Sequence, residues 1–225
     1  MTKILTFAAT EFQAAGDAAL YWPSQNMLLV ADLHLEKASN YAQHGQMLPP
    51  YDSLATLEEL QRLIALTGAA AVLCLGDNFH DNGGEARLTG QAAQILRTLT
   101  AQTNWTWITG NHDPALEAKW GGTTRRELQI DGIMLRHEAQ PDEIKPEISG
   151  HFHPKLRVSI KRRNISRRCW IVSERKIIMP AFGAFTGGMD AAQAAEIAQP
   201  GVLASGTGHG VLALPSGFSR FPLRS

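Results

Sequence analysis

The sequence predicts one α/β (α+β) domain over residues 1–225, and three observations predict it. Short apolar runs stop at Ala31, Gly76, Gly110, Arg136 and Gly150, and each is followed at once by Asp, Asn or His. Between several of these runs lie longer stretches with apolar residues at helical spacing. The length, 225 residues with 44% hydrophobic residues, suffices for one core, since a chain of this size buries on the order of 70% of its unfolded surface. In open α/β sheets ligands collect at the strand exits, where loops vary while strands hold them rigidly. The polar residues after the apolar runs are therefore where chemistry is expected.

Composition narrows the classes. A formal net charge of zero argues against coating nucleic acid through global charge, though it leaves a local basic patch open. Two cysteines, Cys74 and Cys169, are too few for a disulfide framework, and Cys74 lies inside an apolar run; reduced thiols are expected. The amino-terminal residues have no apolar core followed by a small-residue cleavage site, and no apolar run reaches membrane-spanning length. A soluble cytoplasmic protein without membrane contact is the expectation.

In chain order, Ala18–Trp22 and Met27–Ala31 around Pro23-Ser24-Gln25-Asn26 read as a hairpin. It exits into Asp32-Leu33-His34, where an extended backbone would aim Asp32 and His34 to one side. An isolated Asp-x-His is more plainly a turn cap beside a solvated histidine. Residues 35–50 read as loop, and Asp52 or Ser53 as the cap of a helix to about Thr67, with Gly68 after its end. Ala69–Leu75 is a buried strand, and Gly76 permits a sharp turn that presents Asp77, with Asn78, His80 and Gly83-Gly84 behind it. Residues 85–99 read as one helix. The β-branched and aromatic run Trp105–Thr109 is a strand that ends in Gly110-Asn111-His112-Asp113-Pro114. An Asx turn accounts for most of that motif but has no need of His112.

Asp131-Gly132 marks a two-residue hairpin whose second strand ends at His137. Ile148-Ser149-Gly150 leads into His151-Phe152-His153, where alternation would again align both imidazoles. Lys155 to Arg168 holds Lys155, Arg157, Lys161, Arg162, Arg163, Arg167 and Arg168 with no acidic residue, which suits a polyanion or a solvated basic hairpin. Cys169–Val172 and Ile177–Met179 are strands, 180–188 a glycine-rich loop without the Gly-Lys-Ser/Thr ending of a Walker loop, 189–198 a short helix, and Val211–Leu214 a last strand.

The ordered set Asp-x-His, Gly-Asp, Gly-Asn-His-Asp, His and Gly-His-x-His resembles the calcineurin-like metallophosphoesterase superfamily. Ala31 to Lys37, Leu48-Pro49, Gly76-Asp77 with His80, Gly150 to Pro154 and Pro180 to Gly188 resemble its bacterial ligase-associated DNA damage response phosphodiesterase branch. The resemblance implies a four-layer sandwich of two mixed sheets flanked by helices. It implies one divalent ion on Asp32, His34, Asp77 and His153 and a second on Asp77, Asn111, His137 and His151, with in-line attack by a hydroxide held between them. A shell of oxygen and nitrogen donors suits Mn²⁺, with Fe or Zn²⁺ as alternatives. His112 is the implied general acid with Asp113 holding its ring, and Lys37 and His80 lie where the branch places pocket residues; Arg162 and Arg163 are assigned to substrate contact from the basic run. The implied role is a nuclease acting on DNA in repair, beside a DNA ligase and a helicase. A metal-dependent phosphomonoesterase on a small molecule or protein shares the same metal core, and a metal-bearing scaffold without turnover would have no use for His112.

Overall fold

In the computed structural model, which describes residues 4–160, 163–214 and 217–224, the chain builds two seven-stranded sheets. The first consists, in spatial order, of β1 (Ile4–Phe7), β2 (Thr10–Ala15), β3 (Ala19–Trp22), β4 (Met27–Val30), β5 (Ala71–Leu75), β6 (Asn104–Ile108) and β7 (Thr123–Arg125). β1 to β4 pair antiparallel, and β4 to β7 pair parallel. Between β4 and β5 run helices α1 (Lys37–Gln43) and α2 (Asp52–Thr67); between β5 and β6 run α3 (Gly84–Arg87) and α4 (Gly90–Gln102).

The second half supplies β8 (Glu127–Ile130), β9 (Ile133–Arg136), β10 (Glu147–Ser149), β11 (Lys155–Ile160), β12 (Arg163–Arg168), β13 (Trp170–Val172), β14 (Lys176–Ile178), α5 (Ala191–Ala198), α6 (Val202–Ser205), β15 (His209–Leu214) and β16 (Gly217–Pro222). The second sheet has the order β16-β15-β13-β14-β10-β9-β8, and β9, β10 and β14 are parallel neighbours. β11 and β12 form a separate antiparallel hairpin. Both large sheets are mixed, as the resemblance implies.

Apolar burial orders these layers. Phe12, Trp22, Leu73, Leu75 and Ile108 of the first sheet meet Leu135, Ile148, Trp170 and Ile177 of the second, so the sheets share one dry interface. The outer face of the first sheet is covered by Leu57, Leu60 and Leu63 of α2 and Leu96 and Leu99 of α4; that of the second is covered by the alanines of α5. β5 has every residue buried, which explains why its sequence is an unbroken apolar run. Among the described residues no helix is long and apolar enough to cross a membrane.

Several local expectations need correction. The loop expected over 35–50 contains α1, whose sequence carries no apolar period because Ala38 is its one buried residue. Asp52 caps α1 rather than its own helix: its Oδ2 accepts from Ala38 N at 2.9 Å, and the N-cap of α2 is Tyr51. The single helix expected over 85–99 is broken, because Thr89 is extended and Gly90 has φ +62°. The Asp131-Gly132 hairpin forms as expected, both residues having positive φ. Arg162 lies outside the described residues, and of Arg163 only the backbone, in β12, is described.

Candidate metal centre

The parallel strands of both sheets end at one rim. β4, β5 and β6 deliver Asp32 and His34, Asp77, and Asn111 and His112; β9 and β10 deliver His137, and His151 and His153. The loop after β14 crosses this rim and is pinned to it, Phe182 N donating to Ala31 O at 2.8 Å and Gly183 N to Asp32 O at 3.1 Å. The backbone at the exits is not extended, contrary to the alternation argument. Asp32, His34, Asp77, His151 and His153 all have φ between 45° and 71°. Left-handed backbone at non-glycine residues costs roughly 1–2 kcal/mol each and gathers where the surroundings enforce it, at functional sites. The paired side chains therefore converge through tight left-handed turns. Glycines make room: a Cβ on Gly76 would lie 2.3 Å from His137 Nδ1, one on Gly110 2.1 Å from Asp77 Oδ1, and one on Gly150 2.6 Å from Asp32 Oδ2.

The convergence produces three groups of donors among the described residues; one, His34, His80 and His112, holds no carboxylate, and the other two share Asp77. Asp32, His34, Asp77 and His153 place ligand atoms within 4.8 Å of one another, and so do Asp77, His137 and His151. In the first, His34 Nε2 is 3.2 Å from His153 Nε2 and 3.8 Å from Asp77 Oδ2, and His153 Nε2 is 3.4 Å from Asp32 Oδ1. In the second, Asn111 Oδ1 lies 2.9 Å from His137 Nε2 and 3.0 Å from His151 Nδ1, and His137 Nε2 lies 3.4 Å from Asp77 Oδ1.

The chemistry of this donor set fits a cation. His137 Nδ1 donates to Leu75 O at 3.0 Å, so the neutral ring has its lone pair at Nε2, directed at the carbonyl oxygen of Asn111. Lone pairs that face one another at hydrogen-bond distance are favourable when a positive ion lies among them. Three of the imidazoles, His34, His80 and His151, are also biased toward the neutral form that coordination requires. Burial, then the neighbouring His153, His112 and His80, pushes His34 down to about 2. Burial and then His137 lower His151. Burial and then His112 push His80 down to about 4.

The remaining expected residues lie as follows. His112 N donates to Asp77 Oδ1 at 2.9 Å; its ring donates from Nδ1 to His80 O at 2.8 Å and carries Nε2 3.9 Å from Asp77 Oδ2. Asp113 does not hold that ring, as the sequence reading expects. It is buried on the other side of the loop, where Oδ2 accepts from Asn78 N, Asn78 Nδ2 and Phe79 N and Oδ1 from Gly110 N. Asp113 thus ties the exits of β5 and β6 together, and Asn78, to which the sequence reading gives no role, is its partner. His80 Nδ1 is 3.4 Å from His34 Nδ1, and its ring stacks on His112 with centroids 5.0 Å apart. Lys37 reaches across to Phe185 O at 3.3 Å, near enough for its charge to bear on His34 and His80. Arg168 is not a free cation: it donates to Phe182 O and Gly183 O and holds the crossing loop.

Beneath the rim, Glu147 of β10 and Lys176 of β14 are buried and paired at 2.5 Å, and Arg136 of β9 adds its Nε at 3.4 Å from Glu147. The ion cluster clamps the strands that carry His137 and His151.

Known proteins place this geometry. No curated protein sequence matches the chain. Among solved structures, the nuclease MPE of Pseudomonas putida superposes with a TM-score of 0.73 at 27% identity, covering 94% of this chain and 96% of that one. The phosphoesterase YfcE of E. coli (14% identity, 88% and 92% covered) and the protein AQ665 of Aquifex aeolicus (17%, 56% and 78%) both reach a TM-score of 0.40, too loose to bear on the site. Residues 26–157, which carry the donor residues from Asp32 to His153, match the calcineurin-like phosphoesterase family model, and with divalent-metal donors at the rim the chain belongs to that family of metal-dependent phosphoesterases.

Proposed function

We propose that this protein is a dinuclear-metal phosphodiesterase of nuclease type that cleaves DNA in repair. The observation that carries the reading is Asp77, whose two carboxylate oxygens face different clusters: Oδ2 lies 3.8 Å from His34 Nε2, and Oδ1 lies 3.4 Å from His137 Nε2. Asp32, His34, Asp77 and His153 would hold one ion, and Asp77, Asn111, His137 and His151 the other. When bound, two divalent ions supply Lewis acidity to the phosphoryl oxygens and lower the pKa of a water for in-line attack; Mn²⁺ fits these oxygen and nitrogen donors, as do Fe and Zn²⁺.

The side chains do the rest. His112, oriented by its Nδ1–H bond to the His80 carbonyl, presents Nε2 to the departing oxygen and, when protonated, donates a proton there. Asp113 fixes the loop that carries His112 instead of the ring. Lys37, and the cations of the β11–β12 hairpin including Arg157 and Arg167, attract the polyanion. The likeness to the P. putida nuclease over nearly the whole chain supports a phosphodiester substrate. A role beside a DNA ligase and a helicase is what the resemblance in Ala31 to Lys37 and Pro180 to Gly188 implies, and a cytoplasmic location is the expectation from two unpaired, buried cysteines.

The test is a rate comparison with Mn²⁺ between bis(p-nitrophenyl) phosphate and p-nitrophenyl phosphate, followed by single-stranded and duplex DNA. Faster diester turnover with DNA cleavage supports the reading. Turnover of the monoester alone makes the protein a phosphomonoesterase and overturns it.

A further inference from the structure

On the α1 side of the metal centre lies a cavity of about 400 Å³ lined by Asn40, Tyr41, His44, Gln46 and His80. His80 forms its inner wall. That ring is 5.3 Å from His34 and 5.0 Å from His112, centroid to centroid, so the cavity opens directly off the donor clusters. Tyr41 packs against the His80 ring, the two ring centroids 5.5 Å apart and the planes tilted by 41°, so that the rings form one continuous aromatic wall, with Lys37 Nζ 5.7 Å from the Tyr41 centroid. The wall is braced: Asn40 Nδ2 donates to Asp81 Oδ2 at 2.8 Å, and Arg87 holds the same carboxylate. His44 bonds Asn40 O through Nδ1, which leaves Nε2 to the cavity, and Gln46 is exposed beside it.

These surfaces have one chemistry in common. The aromatic wall of Tyr41 and His80 suits a planar π-system, while the Gln46 amide and the His44 imidazole offer edge donors and acceptors. None of the proposed metal ligands lines the cavity, so it is free when the ions are in place. Its volume is at the low end for ligand pockets, which are about 300–1,000 Å³. That suits one heteroaromatic ring rather than a base pair. A ring reaches such a pocket only when it has left the stack of its neighbours.

We propose that this cavity is a nucleobase subsite, in which Tyr41 and His80 take the unstacked base of the nucleotide adjoining the scissile phosphodiester. The inference rests on the phosphodiesterase reading and names the part of the substrate that the metal clusters leave unread. It makes a nucleoside diester, rather than any diester, the preferred substrate.

The test compares the p-nitrophenyl ester of thymidine 5′-monophosphate with methyl p-nitrophenyl phosphate for the wild type, Tyr41→Ala and Tyr41→Phe, with Mn²⁺. Loss of an aromatic stacking partner weakens base binding by roughly tenfold or more. The preference for the nucleoside ester, read in KM, falls about tenfold in Tyr41→Ala and is kept in Tyr41→Phe. Tyr41→Leu serves if the alanine variant does not fold. Binding of thymidine 5′-monophosphate, followed by NMR shifts, is read in parallel and falls in Tyr41→Ala. A preference that Tyr41→Ala leaves intact, or thymidine monophosphate bound equally by wild type and variant, overturns the subsite. If the wild type hydrolyses neither diester, the phosphodiesterase reading fails, and the binding arm still decides the subsite: weaker binding in Tyr41→Ala upholds it and equal binding overturns it.

Discussion

Gly110→Ala is the smallest change that should disable the metal centre while leaving the fold standing. An added Cβ would lie 2.1 Å from Asp77 Oδ1 and 2.2 Å from Asp77 N. The clash includes backbone, so a new Asp77 rotamer cannot relieve it. Asp77 is itself held by the left-handed turn after Gly76, by His34 N donating to its carbonyl at 2.9 Å, and by His112 N donating to Oδ1. Either β5 or β6 must then shift at its exit by about 1 Å, and a displacement of that size at a reacting centre costs on the order of 10²-fold in rate. The folding cost of such overpacking is about 1–3 kcal/mol, well below the roughly 5–15 kcal/mol of a typical domain. The melting temperature should fall by only about 2–12 °C, while turnover of bis(p-nitrophenyl) phosphate falls at least about 100-fold and metal retained after dialysis drops. Gly132→Ala is the matched control: it also costs stability, having φ +80°, but its Cβ meets nothing within 4 Å and it lies in the β8–β9 turn. Gly110→Ala with wild-type turnover and wild-type metal content would refute the reasoning.

Three further outcomes follow from the same geometry. His112→Ala should keep its metals and lose roughly 10²–10⁴-fold on DNA, with a smaller loss on an activated nitrophenyl diester, because proton donation matters most for a poor leaving group; equal losses on both substrates would count against proton donation. Lys176→Met leaves the buried Glu147 carboxylate with Arg136 Nε at 3.4 Å as its remaining cation and should destabilise the fold by up to about 3–5 kcal/mol in urea titrations. The double variant Glu147→Leu/Lys176→Met, in which Arg136 keeps Glu127 and Glu143, should recover most of that; a single variant as stable as wild type would sink the clamp. The metal-free protein should lose stability as pH falls below about 6.5: His34, held near 2 by burial and its histidine neighbours, stays neutral in the fold while the unfolded chain takes up the proton. At pH 5 that linkage is worth about 2 kcal/mol from His34 alone, and an unchanged urea midpoint between pH 7 and pH 5 would contradict it.

The frame of the fold was legible because β4, β5 and β9 are short apolar runs that end where a donor residue begins, as at Leu75-Gly76-Asp77; β10, with Glu147 and Ser149, and β14, which runs into Pro180, carry no such mark. That the donors meet also follows from those exits. The way they meet does not, since nothing in Asp32-Leu33-His34 or His151-Phe152-His153 announces left-handed backbone; the packing of one exit against another enforces it, as Gly150 against Asp32 illustrates. Chain adjacency misled at Asp113, which follows His112 but turns to the opposite side of the loop to bind Asn78. It misled again at Asp52, which caps a helix that precedes its own. α1 was invisible because a helix with a single buried alanine carries no period. The Tyr41 cavity inherits that blindness, since its aromatic wall stands on α1.

The central claim is that one carboxylate serves two ions, and the metal content of Asp77→Asn beside Asn111→Ala tests it most directly. After dialysis against limiting Mn²⁺, the wild type should hold two ions per chain. Asn111→Ala should weaken one of them, and Asp77→Asn should weaken both together. Two ions retained by Asp77→Asn at wild-type affinity, or the loss of only one, would remove Asp77 from the shared position and with it the two-metal account.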